Sequence, residues 1–213
     1  MGQEKSSQML LLIRFSLLVL VSLTFPGLAD TRDAEFSLIR NFEKINSFRA
    51  NLEQVALDSG ESYGGNIWFK KPNFFRLEMN SPISQYIVSD GAYIWTHDVD
   101  LGQVIVKELD QSAEEMSLTL LIADPVSFLD GNKVTRFPGD KTDSYLVEME
   151  TEDSIVKNVM VGFTSGRLSS FLLEPKVGDP LRIVFDEVVL NKPIKQSVFR
   201  FSVPPGIDLI DDR

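Results

Sequence analysis

The chain has 213 residues, enough for one domain with a sizeable core, and 43% of them are hydrophobic against 24% charged, the balance of an ordinary globular protein. A formal net charge of −10 gives it no electrostatic reason to hold phosphate backbones or anionic membrane surfaces, which weighs against nucleic acid as a partner. The absence of cysteine excludes disulfides, thiolate metal sites, a cysteine nucleophile and a lipid-accepting cysteine together.

At the N-terminus, Lys5 and Arg14 flank or interrupt an apolar run over residues 9–25, which Pro26-Gly27-Leu28-Ala29 follows. This pattern predicts a signal peptide, residues 1–29, cleaved after Ala29, because Gly27 and Ala29 offer small side chains where a signal peptidase needs them. Arg14 leaves only residues 15–25 uninterrupted, too short for a membrane span. Cleavage removes Glu4, Lys5 and Arg14 and moves the net charge to −11. Residues 30–213 are then expected to form a single domain, with no repeat, low-complexity stretch or linker within it.

Past the signal, Phe36, Ile39, Phe42 and Ile45 recur at three-residue steps with Leu38 widening the stripe, behind a cap at Asp30 or Thr31. That spacing predicts one amphipathic helix, either a lid over a cavity or a helix packed on a sheet. From Phe48 onward short β-prone runs alternate with turn chemistry: Asp58-Ser59-Gly60, Gly64-Gly65, Asp90-Gly91, Pro138-Gly139-Asp140, Ser165-Gly166, Gly178-Asp179-Pro180 and Asn191-Lys192-Pro193. Val159, Val161 and Phe163 would share one face of a strand, Leu181, Ile183 and Phe185 that of another, and Phe199, Phe201 and Val203 that of a third. The exception is residues 113–129, where Met116, Leu118, Leu120, Leu121 and Ile122 crowd together and Pro125 interrupts, predicting one or two short helices.

Many strands and few helices suit a curved antiparallel sheet that wraps its apolar face around a helical plug; a sandwich is the fallback. The chemistry search is mostly negative. His97 is the single histidine, so no multi-histidine metal site can be built, and Thr96-His97-Asp98 reads as a polar strand end rather than a pH switch. Asp98 and Asp100 beside Gly102 match a calcium loop poorly and read as a solvated turn. There is no Gly-rich phosphate loop and no Gly-x-Ser-x-Gly elbow, and no pair of acids is singled out for hydrolysis. No catalytic residue, metal ligand or cofactor site is expected, and function must lie in shape and surface.

Six stretches then carry a resemblance. Asn46-Ser47-Phe48-Arg49-Ala50-Asn51-Leu52-Glu53-Gln54 leads to Gly65-Asn66-Ile67-Trp68-Phe69-Lys70-Lys71-Pro72-Asn73-Phe74-Phe75-Arg76. Val88-Ser89-Asp90-Gly91-Ala92-Tyr93-Ile94-Trp95 and Asp100-Leu101-Gly102-Gln103-Val104 follow, and the chain closes on Phe199-Arg200-Phe201 with Pro204-Pro205-Gly206-Ile207-Asp208-Leu209-Ile210. Each fragment alone is weak; in this order, across nearly all of the mature chain, they resemble the outer-membrane lipoprotein carrier family, LolA. The outer-membrane receptor of similar fold is itself a lipoprotein and would need the cysteine this chain lacks.

The resemblance implies an incomplete antiparallel β-barrel of about eleven strands capped by a helical lid. It also implies a monomeric periplasmic carrier, not an enzyme. Such a carrier receives acylated lipoproteins from an inner-membrane ABC transporter and delivers them to an outer-membrane receptor. Lys71 stands where the family usually has an arginine, whose fork makes two parallel bonds that lysine cannot reproduce, so the strength of lid closure is at stake. Arg76 matches the arginine after the motif phenylalanine and joins Lys71 as a candidate for lid or transfer control; a cross-strand ion pair is its ordinary alternative. Phe75, Leu77 and Met79 share one strand face and are candidate cavity liners, with Ile87, Trp95, Leu118, Leu120 and Leu121; Leu77 replaces an aromatic common in the family. For each, a place in a closed core is the ordinary alternative. Two rivals remain: a lipid- or lipoprotein-sensing regulatory domain of the same fold, expected to carry a second C-terminal domain that a chain ending at Arg213 does not show, and an exported hydrolase.

Overall fold

The computed structural model describes residues 27–109, 117–150, 152 and 154–213; the expected signal run up to residue 26 and Met116 lie outside them. Twelve strands form one sheet: β1 (Ser47–Ala56), β2 (Ser62–Lys70), β3 (Phe74–Met79), β4 (Gln85–Asp90), β5 (Tyr93–Asp98), β6 (Gln103–Glu108), β7 (Lys133–Phe137), β8 (Thr142–Glu148), β9 (Val156–Thr164), β10 (Arg167–Pro175), β11 (Leu181–Leu190) and β12 (Asp208–Asp212). Their order is β12-β6-β5-β4-β3-β2-β1-β11-β10-β9-β8-β7, so two antiparallel meanders meet where β1 pairs β11. β12 returns parallel to β6. The edges β7 and β12 do not meet, and the barrel stays incomplete.

Helix α1 (Gly27–Glu43) lies over the inner face against β7, and α2 (Ser117–Ala123) and α3 (Pro125–Leu129) pack beside it. The helix begins before Asp30 and Thr31, so neither is its cap. Leu38, Ile39 and Phe42 of the expected stripe are buried, and Ile45 just past the helix end is too, whereas Phe36 is 62% exposed. The buried row is Ala34, Leu38 and Phe42 at four-residue steps, which turns Phe36 off the face. Phe42 meets Phe163 edge-on at 5.4 Å, and Phe163 meets Tyr145 at 6.0 Å. The buried Tyr145 hydroxyl ties β8 to α1 through Ser37 Oγ at 2.8 Å and Asn41 Nδ2 at 3.2 Å.

Residues 117–129 divide at Pro125 as expected, with Pro125 opening α3 and Asp124 as its N-cap, accepting from Ser127 N at 3.1 Å. Asn191, at φ 56°, stitches the junction of α1 and β1 to the end of β11. Its Oδ1 accepts from Asn46 N at 2.8 Å and its Nδ2 donates to Lys44 O at 2.7 Å.

Three expectations are corrected. Gly64-Gly65 is not a turn but lies inside β2, where a side chain at Gly65 would strike the Glu78 carbonyl of β3; the glycine is there for a close approach of strands. Phe199, Phe201 and Val203 are not a strand. Gln196–Phe199 is a 3₁₀ turn, and the segment that follows crosses the outer face of β3 to β5, with Phe199 against Phe74 at 5.7 Å and Phe201 stacked on Trp95 at 5.7 Å. Pro193, Pro204 and Pro205 lack the N–H groups a ladder needs, and aromatic contacts hold the segment instead. His97 stands near the end of β5 but is buried rather than solvated, stacked on Tyr86 at 5.7 Å and edge-on to Phe201 at 5.9 Å.

Replacing Tyr145 by Phe should remove the tie between β8 and α1 and cost about 1–2 kcal/mol in chemical denaturation, with faster amide exchange in α1. A pH titration should read the cap of α3. The hydrogen bonds from Ser127 hold the Asp124 carboxyl below its ordinary range, so the folded state binds its proton less readily than the unfolded chain does. The cap's contribution is therefore present above the unfolded carboxyl value and lost as pH falls through the folded one. On acid titration the Ser127 amide signal should move, and α3 should fray, at a lower pH than the ordinary carboxylate value of about 4; a signal that moves together with the exposed carboxylates would contradict the cap.

Candidate functional site

Alternation along each strand sends one set of side chains to the concave inner face. There, a partly open hollow of about 310 Å³ lies between the sheet and α2. Phe48, Leu52 and Gln54 of β1, Ile67 of β2, Phe75 and Leu77 of β3, and Ile87 of β4 form one side. Phe171 and Leu173 of β10 and Leu181, Ile183 and Phe185 of β11 form the other, with Ile155 and Val156 at the start of β9. Leu118, Thr119 and Ile122 of α2 form the roof. The lining contains no ionisable side chain, and its polar members are Gln54 and Thr119. A recess of about 240 Å³ continues the same face over β4, β5 and β6, sharing Ile87 and adding Gln85, Ile94, Thr96, Ile105 and Lys107.

Of the residues singled out from sequence, Phe75, Leu77, Ile87 and Leu118 meet in this hollow. Met79 lies on the same face of β3, buried against the Gly65 side of β2 rather than lining the space. Leu121 is fully buried in the core and Leu120 is packed against it, so α2 turns Leu118 and Ile122 to the hollow instead. Trp95 is a correction. It is paired with Val88 and Val106 on the outer face, under Phe201, because Ile94 and Thr96 take the inward positions of β5. The alternating set on β11 was visible as a greasy strand face; what it faces was not, and Phe171 and Leu173 of β10 were not singled out.

Lys71 follows β2 directly. Its Nζ donates to the Phe42 carbonyl at 3.1 Å, an acceptor in the last turn of α1 where helix carbonyls lack internal partners and the dipole favours a cation. Burial pushes the Lys71 pKa down, while the carboxylates of Glu43, at the end of α1, and Asp124, at the start of α3, pull it up. One ammonium thus stands between the two lid helices. Arg76 is placed elsewhere. It projects from the outer face of β3, ion-paired with Glu78 at 2.5 Å along the same strand, over the Tyr86 ring, and 3.4 Å from the Val198 carbonyl of the C-terminal segment. It holds that segment, not the helices.

Asp98 accepts from Leu101 N at 2.9 Å, as a solvated turn would have it, and no group of His, Asp or Glu able to hold a metal ion occurs among the described residues.

Comparison with known proteins agrees with this geometry. The chain is 27% identical over 188 residues to an outer-membrane lipoprotein carrier protein of Pseudomonas paraeruginosa, covering 86% of this chain and 90% of the relative. It is 28% identical over 194 residues to the protein of the same description from Chromohalobacter salexigens, covering 89% and 92%. Among solved structures, an uncharacterized conserved protein from Thermus thermophilus shares the fold, with a TM-score of 0.53 at 10% identity over 83% of this chain and 98% of that one. The family model described as outer membrane lipoprotein carrier protein LolA matches residues 43–202. Spanning the strands that build the hollow and the lysine that pins its lid, that match places the chain in the LolA family of outer-membrane lipoprotein carriers.

Proposed function

We propose that this chain is a periplasmic carrier that takes acylated lipoproteins from an inner-membrane ABC transporter, shelters their acyl chains, and hands them to an outer-membrane receptor. The observation that carries the reading is the hollow itself: an apolar space under a helical lid, with no ionisable side chain in its lining. Such a lining suits hydrocarbon. The signal-peptide pattern supports export, and among the described residues no helix is long and apolar enough to cross a membrane.

The physics of the cargo sets the terms. Each buried methylene is worth ~0.8 kcal/mol, so exposing one acyl chain of about fifteen methylenes to water costs roughly 12 kcal/mol. Free crossing of the periplasm is therefore negligible. Holding one such chain completely would already amount to roughly nanomolar binding, too tight for prompt release of several. The hollow of about 310 Å³ lies at the low end of sizes that hold a single compact ligand. Several chains enter only if α1 to α3 move off the sheet, and such a movement breaks the Lys71 bond to the Phe42 carbonyl and the ties from Tyr145 to Ser37 and Asn41.

The test is release of lipoprotein from inner-membrane vesicles supplied with transporter and ATP. Acylated cargo should appear in the supernatant in proportion to added protein, and acyl-free cargo should not co-purify; equal recovery of both would overturn the reading. Leu77→Glu places a carboxylate among hydrocarbon side chains, which costs several kcal/mol unless it is paired, so release should drop by about a hundredfold with far-ultraviolet circular dichroism unchanged. Lys71→Arg adds a second donor at the end of α1 and should slow transfer to the receptor. Unchanged transfer kinetics would make Lys71 a structural cation only.

A further inference from the structure

The sheet forks at one place. β11 pairs with β1 along its whole length, from Leu181 opposite Ala56 to Leu190 opposite Phe48, but it pairs with β10 only as far as Val184 opposite Ser170. Two bulges part the strands. In β11, Glu187, at φ 50°, and Val188 stand against Ala50 alone, where the register with β1 shifts between Arg49 and Asn51. In β10 the register with β9 shifts between Leu168 and Ser170. Bulges bend a strand and end its pairing. Residues 185–190 and 167–169 are left facing each other across an open cleft of about 880 Å³.

No strand lies between these edges among the described residues, so the backbone groups that turn towards the cleft form a template for an added strand. The side chains favour a particular guest. Arg49 and Arg167 line the cleft, both exposed, and neither has an ion pair or hydrogen bond among the described residues. Two carboxylates stand at the same cleft on neutral donors: Asp186 accepts from Glu187 N at 2.8 Å, and Glu187 accepts from Asn51 Nδ2 at 3.0 Å. Of the charged side chains lining the cleft, the two guanidiniums alone lack a partner among the described residues, and a carboxylate on the guest would pair with them. Phe185 lines both this cleft and the apolar hollow, and its edge contact with Phe171 at 5.8 Å stands between them.

We infer that the cleft receives, as an added β-strand, the peptide that directly follows the acylated terminus of the cargo, with an acidic side chain between Arg49 and Arg167. The inference rests on the carrier reading and adds a peptide-binding site to it. Residues 185–190 offer a ledge of at most about 20 Å at ~3.3 Å per residue, shortened by the bulge at Glu187 and Val188, so about five residues of guest match it.

Three probes separate the possibilities: a triacylated cysteinyl peptide extended by about ten residues that include two aspartates, the triacylated cysteine amide without peptide, and the peptide without acyl chains. Hydrogen–deuterium exchange on the full mature chain is the readout. The acylated peptide should slow exchange at residues 185–190 and 167–169 by about tenfold, while the acylated amide protects only the strands and α2 around the hollow. The double variant Arg49→Glu and Arg167→Glu, both at exposed positions, should lower affinity for the acylated peptide by about tenfold and leave affinity for the acylated amide unchanged. A peptide with lysines for the aspartates should regain the loss. Protection of the hollow by both lipid probes with no difference at the cleft overturns the inference and leaves the carrier reading intact. Absence of protection at the hollow by either lipid probe overturns the carrier reading and the cleft site with it.

Discussion

An antiparallel sheet that curls without closing exposes an apolar concave face, and everything else in this protein answers that exposure. Its edge strands β7 and β12 do not pair, so no second half of a barrel shields the inside. Three helices cover it in part, and the polar contacts that hold them include Tyr145 to α1, Lys71 to the last turn of α1, Asn191 to Lys44 just past α1, and Asn132 to Phe128 of α3. Hydrophobic burial drives the helices down, and the directional bonds fix where they sit. A lid held by a closed polar network would not serve a carrier that must empty itself.

The two faces of the sheet divide the labour. Inward side chains of β1 to β4, β10 and β11 make the hollow; outward ones of β3 to β5 bind the C-terminal segment through Phe74, Arg76, Trp95 and His97. That segment brings β12 to β6 and covers what would otherwise be an unpaired edge with β-branched residues along it. Lys71 meets the end of α1 over the inner face, and Arg76 meets the C-terminal segment on the outer face. Although they stand five positions apart in one motif, they act on different elements.

Much of the architecture was legible in the chain. The helix stripe around Leu38 and Phe42, the break at Pro125 and most of the turns follow from local chemistry, which acts within a few residues. The misreadings came where local signals were ambiguous. Gly64-Gly65 carries the same turn chemistry as true turns, yet it serves a close strand contact with β3. Tyr93-Ile94-Trp95 is apolar on both faces, so its alternation could not say which side looks inward. Phe199 and Phe201 alternate like a strand while lying across other strands.

The amino-acid sequence by itself determined the elements, the apolar faces and the absence of cysteine chemistry, because propensity, periodicity and composition are properties of short stretches or of the whole count. Only the tertiary structure decided which greasy faces enclose space and which are closed core. Leu118 borders the hollow while Leu121, less than one turn away, is fully buried. Whether a side chain borders a void depends on atoms brought from strands far apart in sequence, such as Ile67 and Ile183, and on how two bulged strands part, and no local pattern encodes the distance between them.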